Sequence, residues 1–483
     1  MRSKFFLLLL VLMHQQVFSQ NRAINWAFGD SAGLNFATEP PTPFLSSIKT
    51  FEPSATISDE AGNLLFYTNG KTIWNKEHEV MVNGNFLDIG AGTLSTYTQG
   101  VIIIPDPSDN LKYYIFHMDF NYIKYTIVDM NFEDGLGLVT SKNNILLEIP
   151  GMTEKMQAIR HANGRDWWLV ILALPEDGIS GLPFNFYEFL ITPEGISEPA
   201  IREGAIYEDQ SSSENIGQMK FNQQGNMLAC TNGRNVILYH FDRCSGFFNY
   251  LSIIDTIFEG SIGDELYGIE FSPSGSLLFL NKVGAFGKPI LYQYCLDSGD
   301  IEDSKQIIYL DLNDDTDNNI MGSLQLAINN KIYLAMPGIY DTSFYLSVIN
   351  NPDVFGNGCN FDTLSVFTGG KVITNSLPNM PNYNLGVMPK SACDTLSTSI
   401  ENISESTFAI YPNPAQNSIY IKSTIPGSAP FILMDVFGKE VMHTEVLFNY
   451  PINISHLPQG IYIAMLKHGE DWVTEKLIKT NEK

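Results

Sequence analysis

Basic side chains are scarce in this 483-residue chain: 28 Lys and Arg face 53 Asp and Glu, for a formal charge of -25. A surface of that sign repels phosphate backbones and anionic lipid, which disfavours nucleic-acid binding. Charged residues of either sign make up only 17% while aromatics reach 12%, a balance that argues against disorder and suits a β-rich protein. Five cysteines are too few for a disulfide scaffold, and the odd count leaves at least one thiol unpaired. Long apolar runs are missing: nothing approaches the ~20 residues that a membrane helix needs, so no transmembrane segment is expected. There is no Gly-x-Ser-x-Gly elbow, no phosphate-cradling glycine loop and no pair of histidines at metal-ligand spacing.

What is present starts with an address. Residues 1–19 carry Arg2 and Lys4, then the short apolar run 5–13, then "VFS" at 17–19, the layout of a secretory signal peptide. No Cys follows the run, which argues against a lipoprotein. Its removal takes the formal charge to about -27 (-25 - 2) and leaves about 460 residues, too many for one ordinary core.

One phrase then recurs. "ATISDEAGNLLFYTNG" begins at Ala55, "GVIIIPDPSDNLKYYIFHMD" at Gly100, "QAIRHANGRDWWLVIL" at Gln157, "GQMKFNQQGNMLACTNG" at Gly217, "YGIEFSPSGSLLFLN" at Tyr267 and "GSLQLAINNKIYLAM" at Gly322. The intervals are 45, 57, 60, 50 and 55 residues, and each unit reads as strand, polar turn, strand, usually with a third strand behind. Dipeptides such as "NG" and "SG" supply the φ > 0 positions of tight hairpins. A period near fifty with three or four short strands per unit predicts an all-β fold, a β-propeller over 24–388, since one blade cannot bury both faces of its sheet and stacked blades can. Phe271 and the apolar run 277–280 are expected to fill the space between blades. Six units are visible from 55 to about 350. "NWAFGDSAGLNF" (25–36) lacks earlier partners and "NSLPNMPNYNL" (375–385) lacks later ones, so the two ends are expected to share a seventh blade, with six or eight blades left open.

These stretches resemble a family of exported propeller proteins from Bacteroidota, and more distantly the WD40 and lactonase-like propellers. That resemblance implies fold and location and carries no catalytic residue.

After a Ser/Thr-rich linker, 389–407, residues 408–483 alternate apolar and polar positions around turns at "FGK" and "PQG", which predicts a small immunoglobulin-like β-sandwich. Its formal charge from Thr407 is -1, so the acidity lies upstream. "YPNP" (Tyr411, Pro412, Asn413, Pro414), "GIYIAML" with Gly460 and Tyr462, and a Lys-bearing end with Lys476 resemble the C-terminal sorting domain of type IX secretion cargo. The resemblance implies handling by that secretion machinery, removal by a surface sortase-like peptidase, and release or anchoring at the outer membrane.

Candidate chemistry is thin. In "DLNDDTDNN", Asp311, Asn313, Asp315 and Asp317 alternate oxygens that could wrap a hard cation such as Ca²⁺. An EF-hand loop would want Gly at Thr316 and Glu at Gly322, so a solvated acidic loop is the plainer reading. His161, followed by Asp166, could face a central channel, although a turn histidine is the plainer reading. Trp26, Trp74, Trp167 and Trp168 could stack on sugars, against inter-blade packing as the commoner use. Cys359 and Cys393 lie outside the central strands and are expected to pair. The chain reads as a secreted or surface propeller binding a protein or glycan. The alternative is a secreted hydrolase or lyase working at the channel mouth, for which clustered carboxylates there would speak.

Overall fold

The computed structural model describes residues 21–87, 97–119, 121–149, 151–174, 182–206, 216–256, 265–284, 288–311, 320–338, 343–394, 408–423, 427–435, 439–468 and 471–480. The chain divides into two compact units at Leu396/Ser397. The signal-like segment 1–19 and most of the linker lie outside the described residues.

Among those residues the first unit holds seven antiparallel sheets in chain order, and three short 3₁₀ turns are its only helices. Each sheet opens with an inner strand: Asn25–Phe28, Ala55–Ser58, Val101–Asp106, Met152–Arg160, Met219–Phe221, Leu266–Phe271 and Leu324–Leu326. Each inner strand packs beside the next around a common axis. The seventh sheet returns to the first through Trp26, Phe36 and Tyr333, whose rings meet at 4.4 to 5.7 Å, and through Lys331 and Glu39 at 2.8 Å. Sheets radiating from an axis and closing on themselves make a β-propeller.

Local sequence explains the joints. In "SPSG" the Gly275 φ of 78° closes the hairpin, and a Cβ there would stand 2.5 Å from Gln224 Oε1 of the preceding sheet's turn. Gln224 Nε2 donates to Pro273 O and Ser274 O, and Ser274 N donates to Asp353 beside the seventh sheet. Strand alternation then serves both neighbours: Leu278 and Leu280 pack toward Val236 and Leu238 of the fifth sheet, while Phe279 packs toward Leu324 and Ile332 of the seventh. The recurring phrase is an inter-blade packing unit, as the sequence led us to expect.

Closure differs from expectation. Residues 25–35 form a complete three-stranded sheet with Thr42–Lys49, and 375–385 form no strand. A single bridge, Asp30 N to Val372 O at 2.9 Å, is all that joins the two ends as sheet. Pro378 and Pro381 deny the segment a ladder, because proline has no N–H to donate. It threads the axis instead. The Asn379 amide donates to Val101 O (3.2 Å) and Met156 O (3.0 Å) and accepts from Gln99 (3.3 Å) and Gln157 (3.1 Å), all buried. Its backbone N–H donates to Ser54 O, Leu377 N to Ser323 Oγ, and the Tyr383 hydroxyl to Ile103 O.

The disulfide also differs. Cys393 bonds Cys244, Cα to Cα 5.6 Å, and Cys359 is free and buried, as is Cys230. Beyond the axis the chain turns toward the fourth and fifth sheets. There the Arg243 guanidinium donates to Gly386 O (2.6 Å) and His161 O (3.1 Å), and Met388 N donates to Ala162 O (2.8 Å). Cys244 follows Arg243 and receives Cys393. Cys359 sits in the turn Gly356–Cys359, packed among Phe279 and Met321.

The second unit is a sandwich of two antiparallel sheets. One holds Phe408–Tyr411, Ser418–Ser423 and Pro451–Asn453; the other holds Glu440–Leu447, Ser428–Asp435, Gly460–His468 and Asp471–Lys479. Ile419, Ile421, Phe431, Leu433, Tyr462, Ala464 and Leu466 fill the space between them.

Three substitutions test these contacts. Asn379→Ala removes one buried acceptor from two glutamine amides and one buried donor from each of two carbonyls, so chemical denaturation should show a loss of roughly 2–5 kcal/mol, against less than about 0.5 kcal/mol for the exposed Asn384→Ala. Cys393→Ser opens a bond spanning 149 residues, and denaturation without reductant should show a loss of roughly 2–5 kcal/mol. Cys359→Ser should leave the Cys244–Cys393 bond intact by mass spectrometry.

Candidate functional site

The threaded segment leaves a space at each end of the axis. At the end where the inner strands begin lies a cavity of about 290 Å³, walled by Glu52, Glu154, Glu265, Tyr267 and Asn375 among others. At the opposite end a smaller cavity of about 150 Å³ is walled by Lys220, Glu270, Gln325 and the chain from Met380 to Asn384. Between them Gln99 bridges the axis to the fifth sheet: its amide donates to Met219 O (2.9 Å) and its carbonyl accepts from Met219 N (2.7 Å).

The larger cavity has the more reactive wall. The inner ends of four separate sheets and the threaded segment bring its groups together. Thr98 Oγ1 lies 2.8 Å from Glu154 Oε2 and 3.0 Å from the Tyr267 hydroxyl, which lies 3.2 Å from Glu52 Oε1 and 3.4 Å from Ser376 Oγ. The row from Glu52 to Glu154 contains three contacts, and the two hydroxyls bring only two protons. With both carboxyls ionised, Tyr267 and Thr98 would each donate outward and face each other lone pair to lone pair. One carboxyl proton completes the row. It belongs on Glu52, because Glu154 already accepts the Thr98 backbone N–H (3.2 Å) and feels the charge of Lys155.

Titration directions agree. Burial, then the charge of Glu154, holds the Glu52 carboxyl well above the usual carboxylate range. Burial raises Glu154 less, with the Thr98 hydrogen bonds and Lys155 working against it. Burial and both carboxylates raise the Tyr267 hydroxyl. Lys155 donates to Ile216 O at 2.7 Å, and burial brings its amine down to about 8. Glu52 is only 6% exposed; the side chains of Tyr267 and Asn375 beside it favour its ionised form, while its buried Oε2 lies outside ordinary hydrogen-bond geometry from any donor.

At the other end Lys220 Nζ donates to Gln325 Oε1 (2.5 Å) and lies 3.3 Å from Glu270 Oε2. Burial pulls the lysine down and the glutamate up, and their mutual attraction opposes both. Glu270 also accepts the Phe271 and Leu326 backbone N–H groups, so this pair is spoken for.

The residues singled out from sequence fall elsewhere. Asp311 donates its N–H to Pro289 O at 3.3 Å, while Asn313, Asp315 and Asp317 lie outside the described residues. Among the described residues no three His, Cys, Asp or Glu side chains come together to hold a metal. His161 is a buried turn residue whose Nε2 contacts Cys244 O at 3.0 Å, and Asp166 is held by Asn163 and Arg165. Trp26 and Trp167 are fully buried, Trp168 donates to Arg243 O, and Trp74 stacks on Tyr67. Glu52, Glu154 and Tyr267 were missed. Their signal was polar residues where each inner strand begins: "TQG" at 98–100, "EKMQ" at 154–157, "GQMK" at 217–220.

In the tail the "YPNP" segment is tied to the last strand. The Asn413 amide donates to Lys476 O (2.6 Å), its carbonyl accepts from Ile478 N (2.9 Å), and Ala415 N donates to Ile478 O (2.8 Å). Gly460 opens its strand, and the buried Tyr462 donates to Pro458 O at 2.8 Å.

Comparison with known proteins identifies this tail. Residues 409–480 match the family model of the secretion system C-terminal sorting domain. A domain of this kind sends its protein through the type IX secretion machinery, so the chain is an exported propeller destined for secretion or the cell surface. No helix among the described residues is long and apolar enough to cross a membrane. No curated protein matches the chain. Among solved structures it is similar to a protein of unknown function from Desulfotomaculum acetoxidans (12% identity, 72% of this chain and 88% of that one, TM-score 0.35). It is also similar to the periplasmic gluconolactonase of Pseudomonas aeruginosa (10%, 73% and 85%, 0.32) and the hydrazine synthase of Kuenenia stuttgartiensis (12%, 68% and 86%, 0.36). Scores at this level carry no argument about function.

The shared proton gives a pH test. Because folding raises the Glu52 pKa, the stability tied to its proton is full below about pH 4 and is lost as pH climbs through the raised value. Glu52→Gln replaces that proton with a permanent N–H donor to Tyr267. Thermal unfolding should show the variant melting above the parent near about pH 8, with the gap closing toward about pH 4.5. A gap constant across that range would place the ionisation elsewhere.

Proposed function

We propose that the protein is a surface or secreted propeller that binds an extracellular polar ligand, a glycan or a protein group, in the larger axial cavity. The carrying observation is the unpartnered Glu52 Oε2 on the wall of a cavity that the threaded segment leaves at one end. A nearly buried acceptor without a donor is costly unless something supplies one. Its volume, about 290 Å³, sits near the ~300 Å³ lower bound for small-molecule sites, which suits one sugar unit or side chain. In the same reading residues 1–19 are a signal peptide, 24–388 the functional propeller with seven blades, 389–407 a linker, and 408–483 an address that a sortase-like peptidase removes at the surface.

A hydrolase or lyase is the second reading, favoured by one observation. Glu52 and Glu154 stand at the two ends of one hydrogen-bonded row through Tyr267 and Thr98, which offers a carboxylic acid and a carboxylate on the same wall.

Screening the exported protein against glycan and peptide arrays, with Glu154→Gln in parallel, should give hits that the variant loses. Turnover of glycosides or lactones that Glu52→Gln abolishes would replace the binding reading with the enzyme. Arrays with no hit that depends on Glu154 would remove this cavity from function. Deleting 408–483 in the native host should trap a folded propeller in the periplasm, and fusing those residues to another exported protein should carry it to the surface. Mature surface protein that still contains Tyr411 to Pro414 would overturn the cleaved address.

A further inference from the structure

Three inner strands carry an amine, a carboxyl and a carboxamide at one level. "GQMKF" (217–221), "YGIEF" (267–271) and "GSLQL" (322–326) are the same phrase of three consecutive units, and its fourth position holds Lys220, Glu270 and Gln325 in turn. Stacked blades set equivalent positions side by side, so residues far apart in the chain meet on the wall of the smaller cavity. The fourth sheet places the aliphatic Ile159 at that position, and the polar set ends there.

The hydrogen bonds complete this set, and its three members are also the reactants of an amide exchange. Lys220 Nζ lies 2.5 Å from Gln325 Oε1. With a C=O bond of about 1.2 Å, the amine is then within about 3.7 Å of the carboxamide carbon Cδ, close to a near-attack separation. Glu270 Oε2 lies 3.3 Å from the same Nζ and accepts the N–H of Leu326, one residue past Gln325, at 3.0 Å. Gln325 Nε2 donates to Leu326 O at 3.1 Å, which fixes the plane of the carboxamide. The Lys220 and Glu270 side chains are each 4% exposed. Burial pulls the amine down and the carboxyl up, so one proton moved across 3.3 Å gives a free amine beside a carboxylic acid.

We propose that Lys220 and Gln325 join through an isopeptide bond that the protein forms on itself, with Glu270 carrying the proton. Glu270 takes one proton from the Lys220 ammonium, and the free amine attacks Gln325 Cδ. The Nζ–Cδ bond forms, the Cδ–Nε2 bond breaks, and Nε2 departs as ammonia, its third hydrogen coming from the attacking amine. Glu270 keeps the first proton. An ion pair and a carboxamide thus become an amide, ammonia and a neutral carboxyl, and no co-reactant is consumed. The cavity of about 150 Å³ beside Lys220 gives the ammonia its exit, with far more room than one small molecule needs. The exchange also removes a buried ion pair, whose desolvation is costly. Other lysines lack the right neighbour: Lys124 and Lys305 face the counter-ions Asp119 and Asp255, and Lys155 donates to a backbone carbonyl, where the same exchange would cut the chain. The bond spans 105 residues and clamps the fifth sheet to the seventh across the sixth.

Peptide mapping of the purified full chain, with its disulfide reduced, tests the bond. Trypsin should leave Lys220 uncut and yield a branched peptide joining it to Gln325, lighter than its two parts by one ammonia. Lys220→Arg keeps a cation beside Glu270 and removes the nucleophile, so it should show the full intact mass and linear peptides only. Gln325→Met, of similar volume, should give the same result from the acceptor side. Glu270→Gln should cut the crosslinked fraction at least about tenfold in protein that still melts cooperatively. Lys220 and Gln325 recovered from the parent only in linear peptides would overturn the bond. An ammonia loss that persists in Lys220→Arg would also overturn it and assign the loss to an asparagine–glycine step such as Asn83–Gly84. Crosslinking undiminished in Glu270→Gln would overturn the role given to that carboxyl.

Discussion

A single carboxamide holds the axis of this propeller. Seven inner strands run side by side, and their facing edges carry carbonyls and amides that no sheet partner can satisfy. Asn379 reaches four of them from the threaded segment: two backbone carbonyls from neighbouring sheets and two glutamine side chains. Buried polar groups that stay unpaired cost far more than paired ones return, so the threaded segment is less a plug than the missing hydrogen-bond partner of the whole ring. The two cavities are what remains above and below the place where that segment fits.

The same logic accounts for the difference between the cavities. At the smaller one, Lys220 and Glu270 face each other with Gln325 and two backbone N–H groups completing the set, and nothing is left over. At the larger one two carboxyls must divide a single proton through two hydroxyls, and one oxygen is left without a donor. Structural ion pairs close their accounts locally; functional sites retain an unsatisfied group toward solvent. That contrast, rather than size, separates the candidate site from its counterpart.

The blades were legible because packing between sheets repeats, and repetition shows in sequence. "SPSG" and "NQQG" mark equivalent turns fifty residues apart, and the residues behind them pack as their alternation implies. The closing segment was read as a strand because 25–35 lacked a partner on paper. Its real contacts run through side-chain amides, which leave no periodic trace, and its prolines were the clue against a ladder. The cysteine pairing failed for a related reason: Cys244 sits in a hairpin turn, not a strand, and Arg243 beside it draws the returning chain in. The candidate site was illegible because Glu52, Glu154 and Tyr267 come from distant units, whereas the contiguous oxygens after Asp311 looked like a ligand loop. The tail was the easiest part to read, since its signal is local and ordered.

The Cys244–Cys393 bond has a mechanical consequence. Cys393 lies at the start of the linker that leads to the sorting domain, so tension applied to the tail enters the propeller at that sulfur. From there it passes into the hairpin after Asn235–Asp242, bypassing the stretch that carries Asn379. Without the crosslink the same pull would run back along 386–394 and draw the threaded segment out of the ring like a cord. With it, the load is borne by a covalent strut in one blade, and the axis stays at rest.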